Sequence, residues 1–151
     1  MITGLQHMHS FLRWVALALL VWSVISAWRG MGAQRAFTSS DQKRGLFTMV
    51  VLHVQLLLGV ALWALGERGM KAFADPDVMS NSMLRFFAVE HMVGMMVGIL
   101  FGTLGHSLSK RASSDRMKFR KQAIWFTLAL VVILVMIPWP FREGFEWVGW
   151  F

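Results

Sequence analysis

The chain contains no cysteine among its 151 residues. This absence excludes disulfides, thiolate metal sites, covalent attachment of c-type haem and cysteine nucleophiles. Charged residues are also scarce, at 15% of the chain, against about 25% in a typical soluble domain. The sequence has no internal repeat and no low-complexity segment. Its length therefore predicts a single domain that covers residues 1–151.

Apolar residues, by contrast, are abundant and clustered. They make up 56% of the chain, whose mean hydropathy is +0.55, and they form long runs at about 11–28, 46–65, 83–108 and 123–137. A helix needs about 17–25 such residues to cross a bilayer, and lipid requires every backbone polar group to be paired internally. The first run lacks a signal-peptide cleavage site, so we expect it to be retained. The sequence predicts an all-α fold, an antiparallel four-helix transmembrane bundle with helices at about 4–28, 43–66, 81–108 and 120–138.

The net charge of +7 is concentrated in two of the loops. Basic loops stay on the cytoplasmic side of a membrane, so we expect the first and third loops inside and both termini outside, in the inner (cytoplasmic) cell membrane. A soluble protein with this charge would suggest nucleic acid, but here the bilayer is the expected partner. The basic residues are Arg29, Arg35, Lys43 and Arg44 in the first loop and Lys110, Arg111, Arg116, Lys118, Arg120 and Lys121 in the third.

The last segment, residues 139–151, is rich in aromatic side chains. Such rings prefer the headgroup level of a membrane, so we expect an interfacial tail. A docking surface for another membrane protein subunit is the alternative interpretation. The aromatic residues are Trp139, Phe141, Phe145, Trp147, Trp150 and Phe151.

Three of the four runs carry ionisable or amide side chains, which are costly inside a bilayer and therefore indicate function. At a rise of 1.5 Å per residue, His53 lies roughly 21 Å and His91 roughly 15 Å below the outer surface, within about one helical turn of each other. Facing imidazoles of this kind suit the axial positions of haem b. The remaining candidates are His9 and Arg13 in the first run, Gln55 in the second, and Arg85 and Glu90 in the third.

The charged residues have two candidate roles in such a site. Arg13 and Glu90 are expected at the same depth, where opposite charges can neutralise each other. Alternatively, Arg13 or Arg85 would pair with haem propionates, while Arg13 and Glu90 would hold a proton near a quinone. His9 would be an alternative ligand or would support one.

Glycines recur at four-residue spacing in the third run. Gly94, Gly98 and Gly102 fall on one helical face together with His91. One interpretation is ordinary close packing of helices through small residues. The other is a groove for a porphyrin, with Gly94 and Gly98 against the ring and His91 on the iron.

His106 leaves a two-haem arrangement open. It lies at the inner end of the third run, next to basic residues, where a surface position is the simpler expectation. If it paired with His53, while His9 paired with His91, two haems would form an electron path across the membrane.

Four segments together resemble a known family. The segments LQHMHSFLRW, LHVQLLLG, LRFFAVEH and IPWPFR resemble those of small four-helix membrane proteins described as cytochrome b-like, over nearly the whole chain. The resemblance implies roles for His9, Arg13, His53, Gln55, Arg85, Glu90 and His91. His106 lies outside these segments, which favours one haem.

The sequence thus favours a haem b electron-transfer protein, which exchanges electrons with a quinone or a respiratory complex, over a stand-alone enzyme. The alternative is a non-catalytic accessory subunit of a larger membrane complex. A transporter or proton channel is the weakest interpretation, because no repeat or discontinuous helix is predicted.

Overall fold

The computed structural model describes residues 2–148, and this part of the chain is helical, without β-strands. The helix ends fall within five residues of the predicted positions. A short 3₁₀ helix, Met70–Ala74, follows the second long helix. The long helices are α1 (Ile2–Gly32), α2 (Ser39–Leu65), α3 (Ser82–Lys110) and α4 (Asp115–Met136).

The outer faces of the bundle are apolar. Phe11 is 64%, Phe47 59% and Leu57 70% exposed in the isolated chain. Exposed apolar surface on this scale requires a nonaqueous partner, and all four helices are long and apolar enough to cross a membrane. These properties identify a multi-pass membrane protein.

The helices pack around a common core. α1 lies against α2 and α4, and α3 lies against the same two helices. Leu20, Leu52, Phe126 and Ile133 are buried where the helices meet. The exposed large hydrophobic side chains outnumber the buried ones, so a large share of the apolar surface is available for contact with lipid.

The first turn of α2 is fixed by a capping box. The Thr38 side chain accepts a hydrogen bond from the Asp41 amide, and the Asp41 carboxylate accepts one from the Thr38 amide at 2.9 Å. Asp41 therefore occupies the third helical position. The same carboxylate binds Arg35 at 2.7 Å, and this hydrogen bond raises the pKa of Arg35.

A π-helical turn interrupts α3 at Phe86–Glu90, where the sequence predicted a continuous α-helix. Such a turn contains one extra residue and is frequent at functional sites. The indole of Trp63 on α2 donates a hydrogen bond to the carbonyl of Ala88 at 2.8 Å. This bond provides a partner for a turn carbonyl in a region where water is absent. His91 follows the turn directly.

The aromatic tail folds back onto this turn. Phe145 is buried, and its ring centroid lies 4.8 Å from that of Phe86. The Trp147 ring contacts Phe87 and lies 3.9 Å from the guanidinium of Arg68. The tail therefore contributes to the fold of the bundle itself. Trp150 and Phe151, which the tail prediction included, lie outside the described residues.

Candidate functional site

A cavity of about 590 Å³ lies between α1, α2 and α3. Its volume is within the range of roughly 300–1,000 Å³ that is typical of small-molecule and cofactor sites. Leucine and isoleucine are the most frequent residues of its wall, and Trp147 and Val148 of the tail border it. The helices contribute polar side chains to the wall, among them His9, Arg13, Gln55 and His91, together with Gln6, His7 and Ser10 on α1.

His9 lies on α1 where α2 has no side chain. A Cβ atom added to Gly59 would be 3.2 Å from Cε1 of His9, so the glycine makes room for the imidazole. Gln55, one turn before Gly59, donates a hydrogen bond to the His9 carbonyl at 2.9 Å. Nδ1 of His9 is buried and has no hydrogen-bond partner among the described residues. The ring thus borders the cavity with its Nδ1 edge packed close to α2.

His91 enters the same cavity from α3. Its Nδ1 lies 2.6 Å from the carbonyl of Met136, the last residue of α4. Because a carbonyl only accepts, Nδ1 carries the hydrogen and Nε2 keeps its lone pair. Hydrogen bonding of one ring nitrogen to a carbonyl is the usual way to orient a histidine that ligates metal through the other. His91 is therefore prepared to act as a ligand.

Two arginines border the cavity. Arg13 lies one turn beyond His9, and its guanidinium is 5.4 Å from the Trp14 ring. Arg68 lies near Trp147 in the segment after α2. Arg68 is not among the site residues that the sequence indicated. The adjacent Glu67 carries the opposite charge, so this loop shows no excess of positive charge in the sequence. The contact of Arg68 with the tail is what brings it beside the cavity.

Arg85 and Glu90 lie outside the cavity. They form an ion pair of 2.7 Å with side chains that are 37% and 44% exposed, and Arg85 also donates to the Met79 carbonyl at 2.8 Å. This pair spans the π turn. The ion pair at Glu90 is thus with Arg85, whereas the sequence suggested Arg13 as its partner.

The glycine face of α3 packs against other helices. A Cβ atom added to Gly94 would collide with Met136, and one added to Gly98 would lie 2.8 Å from Ile133. His91 and Gly94 both meet Met136, as residues on one face should. The porphyrin groove suggested for Gly94 and Gly98 is therefore wrong, because α4 side chains fill it.

His53 does not border the cavity that His9 and His91 share. Its side chain is exposed, in a separate groove of about 410 Å³ between α2 and α3. Gln55 is two residues further along α2, about 200° around the helix, so when Gln55 faces the cavity His53 points away from it. The structure does not bring His53 and His91 together as an axial pair.

His106 is buried, which contradicts the expected surface position. Its imidazole faces α2 near Gly45, where an added Cβ atom would be 3.4 Å from Nδ1 of His106 and 2.6 Å from Nε2 of Gln122. His53, by contrast, is exposed beside Thr103. The two histidines do not share a site, so the second haem of the two-haem alternative has no axial pair.

Within residues 2–148 no cluster of three or more His, Asp or Glu side chains is arranged to hold a metal ion. A haem does not need such a cluster, because its iron takes only one or two axial side chains. The histidine pair that borders the cavity is thus the relevant arrangement.

The fold and the cavity define a class of protein: a multi-pass helical membrane protein with an internal site lined by histidine and arginine. No known protein family, no curated protein and no solved structure matches the chain. The cytochrome b-like family is thus supported by the four sequence segments alone.

Proposed function

We propose that this protein is a membrane-embedded electron carrier that holds haem b in the cavity between α1, α2 and α3, with His9 and His91 as axial ligands. One observation carries the proposal. Two imidazoles from different helices border a single apolar cavity of cofactor size, and one of them is oriented by the Met136 carbonyl.

The residues of the cavity fit such a group. The buried Nδ1 of His9 lacks a partner among the described residues, and an unpaired buried polar atom costs about 1–3 kcal/mol. The imidazole is thus held at the cavity at an energetic cost, which is typical of a side chain kept for binding. Leu17, Leu52 and Ile99 supply the apolar wall that a porphyrin requires.

This assignment changes one of the two ligands that the sequence suggested. His53 and His91 were expected at similar depth, but they line separate spaces. His9 and His91 both border the cavity. The revised pair keeps the cytochrome b-like resemblance, because His9 belongs to the segment LQHMHSFLRW.

Haem supplies one-electron chemistry when it is bound. The chain's own residues bind it and set its surroundings. Arg13 and Arg68 would pair with the haem propionates at the edge of the cavity. The apolar side chains of the wall would contact the ring and limit its contact with water. A quinone in the bilayer or a respiratory complex is the proposed electron partner.

Absorption spectroscopy of protein purified after haem-replete expression tests the proposal. We expect a Soret band that is lost or strongly reduced in His9→Ala and in His91→Ala. His53→Ala and His106→Ala are matched controls, because neither side chain borders the cavity, and both should keep the band. A colourless wild-type protein, or loss of the band only in His53→Ala, would contradict the assignment.

The orientation of the bundle is part of the proposal. The first and third loops carry most of the basic residues, and the positive-inside tendency supports a cytoplasmic position for both. The helices would then alternate in direction, as in an antiparallel bundle, and both termini would lie outside.

A second candidate function is that of an accessory subunit in a larger membrane complex. One observation favours it: Phe141 is 73% exposed and stacks on Trp139 with centroids 5.7 Å apart. An exposed aromatic ring that stacks on a partly buried one suits a protein interface. Stable co-purification with other membrane subunits, lost in Phe141→Ser, would support this role, whereas a folded, isolated monomer would contradict it.

A further inference from the structure

The groove around His53 contains a polar group that faces the lipid. It lies between α2 and α3 and is lined by Met49, Val50, Val54 and Leu57 together with two hydroxyl residues, Thr103 and Ser107. Val54 and Leu57 are exposed, so the groove opens sideways from the bundle. Polar side chains in such a position are costly and indicate a partner.

The hydrogen bonds of His53 determine which of its ring nitrogens is available. Nδ1 lies 2.8 Å from the carbonyl of Met49. A carbonyl only accepts, so Nδ1 carries the hydrogen of the neutral ring and Nε2 is an acceptor.

Thr103 does not satisfy this acceptor. Its hydroxyl oxygen lies 3.5 Å from Nε2 of His53, which is long for a hydrogen bond. The single hydroxyl hydrogen is donated to the Ile99 carbonyl at 2.8 Å. The lone pair of Nε2 is thus left without a good hydrogen bond, in a groove that opens to the side of the bundle.

We propose that this groove binds a lipid-phase molecule that carries a hydroxyl group, which donates a hydrogen bond to Nε2 of His53. Two kinds of membrane molecule have this chemistry: a hydroquinone and a hydroxylated neutral lipid such as a diacylglycerol. The apolar walls of the groove contact the ring or acyl chain of the ligand. The acceptor nitrogen of His53 favours a ligand that carries a hydrogen-bond donor. A quinone without hydroxyl groups lacks that donor and binds more weakly.

This site is independent of the proposed haem site. The two spaces share no lining residue, since the groove is bordered by the outward face of α2 and the cavity by the opposite face. The loss of one site therefore does not imply the loss of the other. The Soret band of each variant shows whether the proposed haem site is intact, independently of binding in the groove.

The test uses the full chain in phosphatidylcholine nanodiscs with ¹⁵N-labelled histidine. A short-chain ubiquinol kept under reducing conditions, its dimethyl ether and dioctanoylglycerol are titrated separately, and the ¹⁵N signal of Nε2 is followed by NMR. The dimethyl ether has the same ring but no donor. The variants are His53→Phe, His53→Gln, which retains an acceptor, and Thr103→Val as the matched control in the groove.

We expect ubiquinol to bind about tenfold more tightly than its dimethyl ether, as the loss of one hydrogen bond predicts, and to shift the Nε2 signal. His53→Phe should abolish this preference, whereas His53→Gln and Thr103→Val should retain it. If dioctanoylglycerol competes with ubiquinol, the ligand is identified as a hydroxylated lipid. If dioctanoylglycerol does not compete, the ligand is identified as a hydroquinone. Equal affinity for ubiquinol and the ether in the wild-type protein would overturn the proposal, whatever the stability of the variants.

Discussion

At the scale of single residues, Gly59 determines whether His9 can occupy the cavity. The imidazole lies where a side chain of α2 would otherwise be, and Gln55 holds the backbone of α1 at the same level. Glycine is unfavourable in a helix by about 1 kcal/mol relative to alanine. Its presence here is explained by the space that the imidazole requires.

Gly59→Val tests this fit. The added methyl groups would occupy the position of the His9 ring, and overpacking of this kind costs about 1–3 kcal/mol. We expect a lower thermal midpoint in detergent and, if haem is bound as proposed, a weaker Soret band. Gly4→Val is the control, because nothing lies within 4 Å of a Cβ atom added there. Equal stability of the two variants would show that His9 does not depend on Gly59.

The sequence predicted the depth of the histidines but not the side of the helix from which each of them enters the bundle. Depth follows from the rise per residue, so His9, His53 and His91 were all identified as membrane-embedded. The direction in which each side chain points depends on how the helix is rotated in the bundle. On α2 the cavity face contains Leu52, Gln55 and Gly59, and only the packing reveals that His53 is excluded from it.

At the scale of the helices, the π turn of α3 is the feature that the sequence did not reveal. Phe86 and Ala88 within it are buried, and the segment FFAVE reads as ordinary helix. The turn persists because Trp63 binds the Ala88 carbonyl and because Arg85 and Glu90 pair across it. These partners are distant in sequence or irregularly spaced, so no periodic pattern predicts them.

Trp63→Phe removes the hydrogen bond to the turn and retains most of the ring. We expect the free energy of unfolding to fall by about 1–3 kcal/mol, because the Ala88 carbonyl loses its partner in a buried position. Unfolding in mixed micelles, followed by circular dichroism, measures the loss. Trp22→Phe is the matched control, since the Trp22 ring is 57% exposed on the outside of the bundle. A loss of the same size in both variants would show that the bond does not stabilise the turn.

The glycine face of α3 was recognised from the sequence, but its role was left open between packing and a porphyrin groove. Four-residue spacing gives a smooth helical face in either case. The structure assigns Gly98 to Ile133, Gly102 to Leu52 and Gly105 to Phe126. Close approach of the helices explains the pattern without a cofactor.

At the scale of the whole molecule, apolar and basic surfaces are separated. The outer faces of the helices are apolar, whereas most of the positive charge lies in the two short connections of residues 33–38 and 111–114 and the adjoining turns. Long apolar runs and charged loops are local properties, so the sequence predicted the four helices reliably. The cavity depends on contacts between helices, which no local property encodes.

The absence of cysteine makes the orientation directly measurable. We expect Ser113→Cys, in the exposed third loop, to be protected from a membrane-impermeant maleimide added to intact cells, because basic loops stay in the cytoplasm. Ala74→Cys, exposed at the end of the short 3₁₀ helix after α2, should be labelled. Both should react once the membrane is permeabilised, which controls for accessibility. The reverse labelling pattern would place both termini inside and would put Arg68 and the nearby edge of the cavity on the cytoplasmic side, so that a soluble electron partner would have to approach from there.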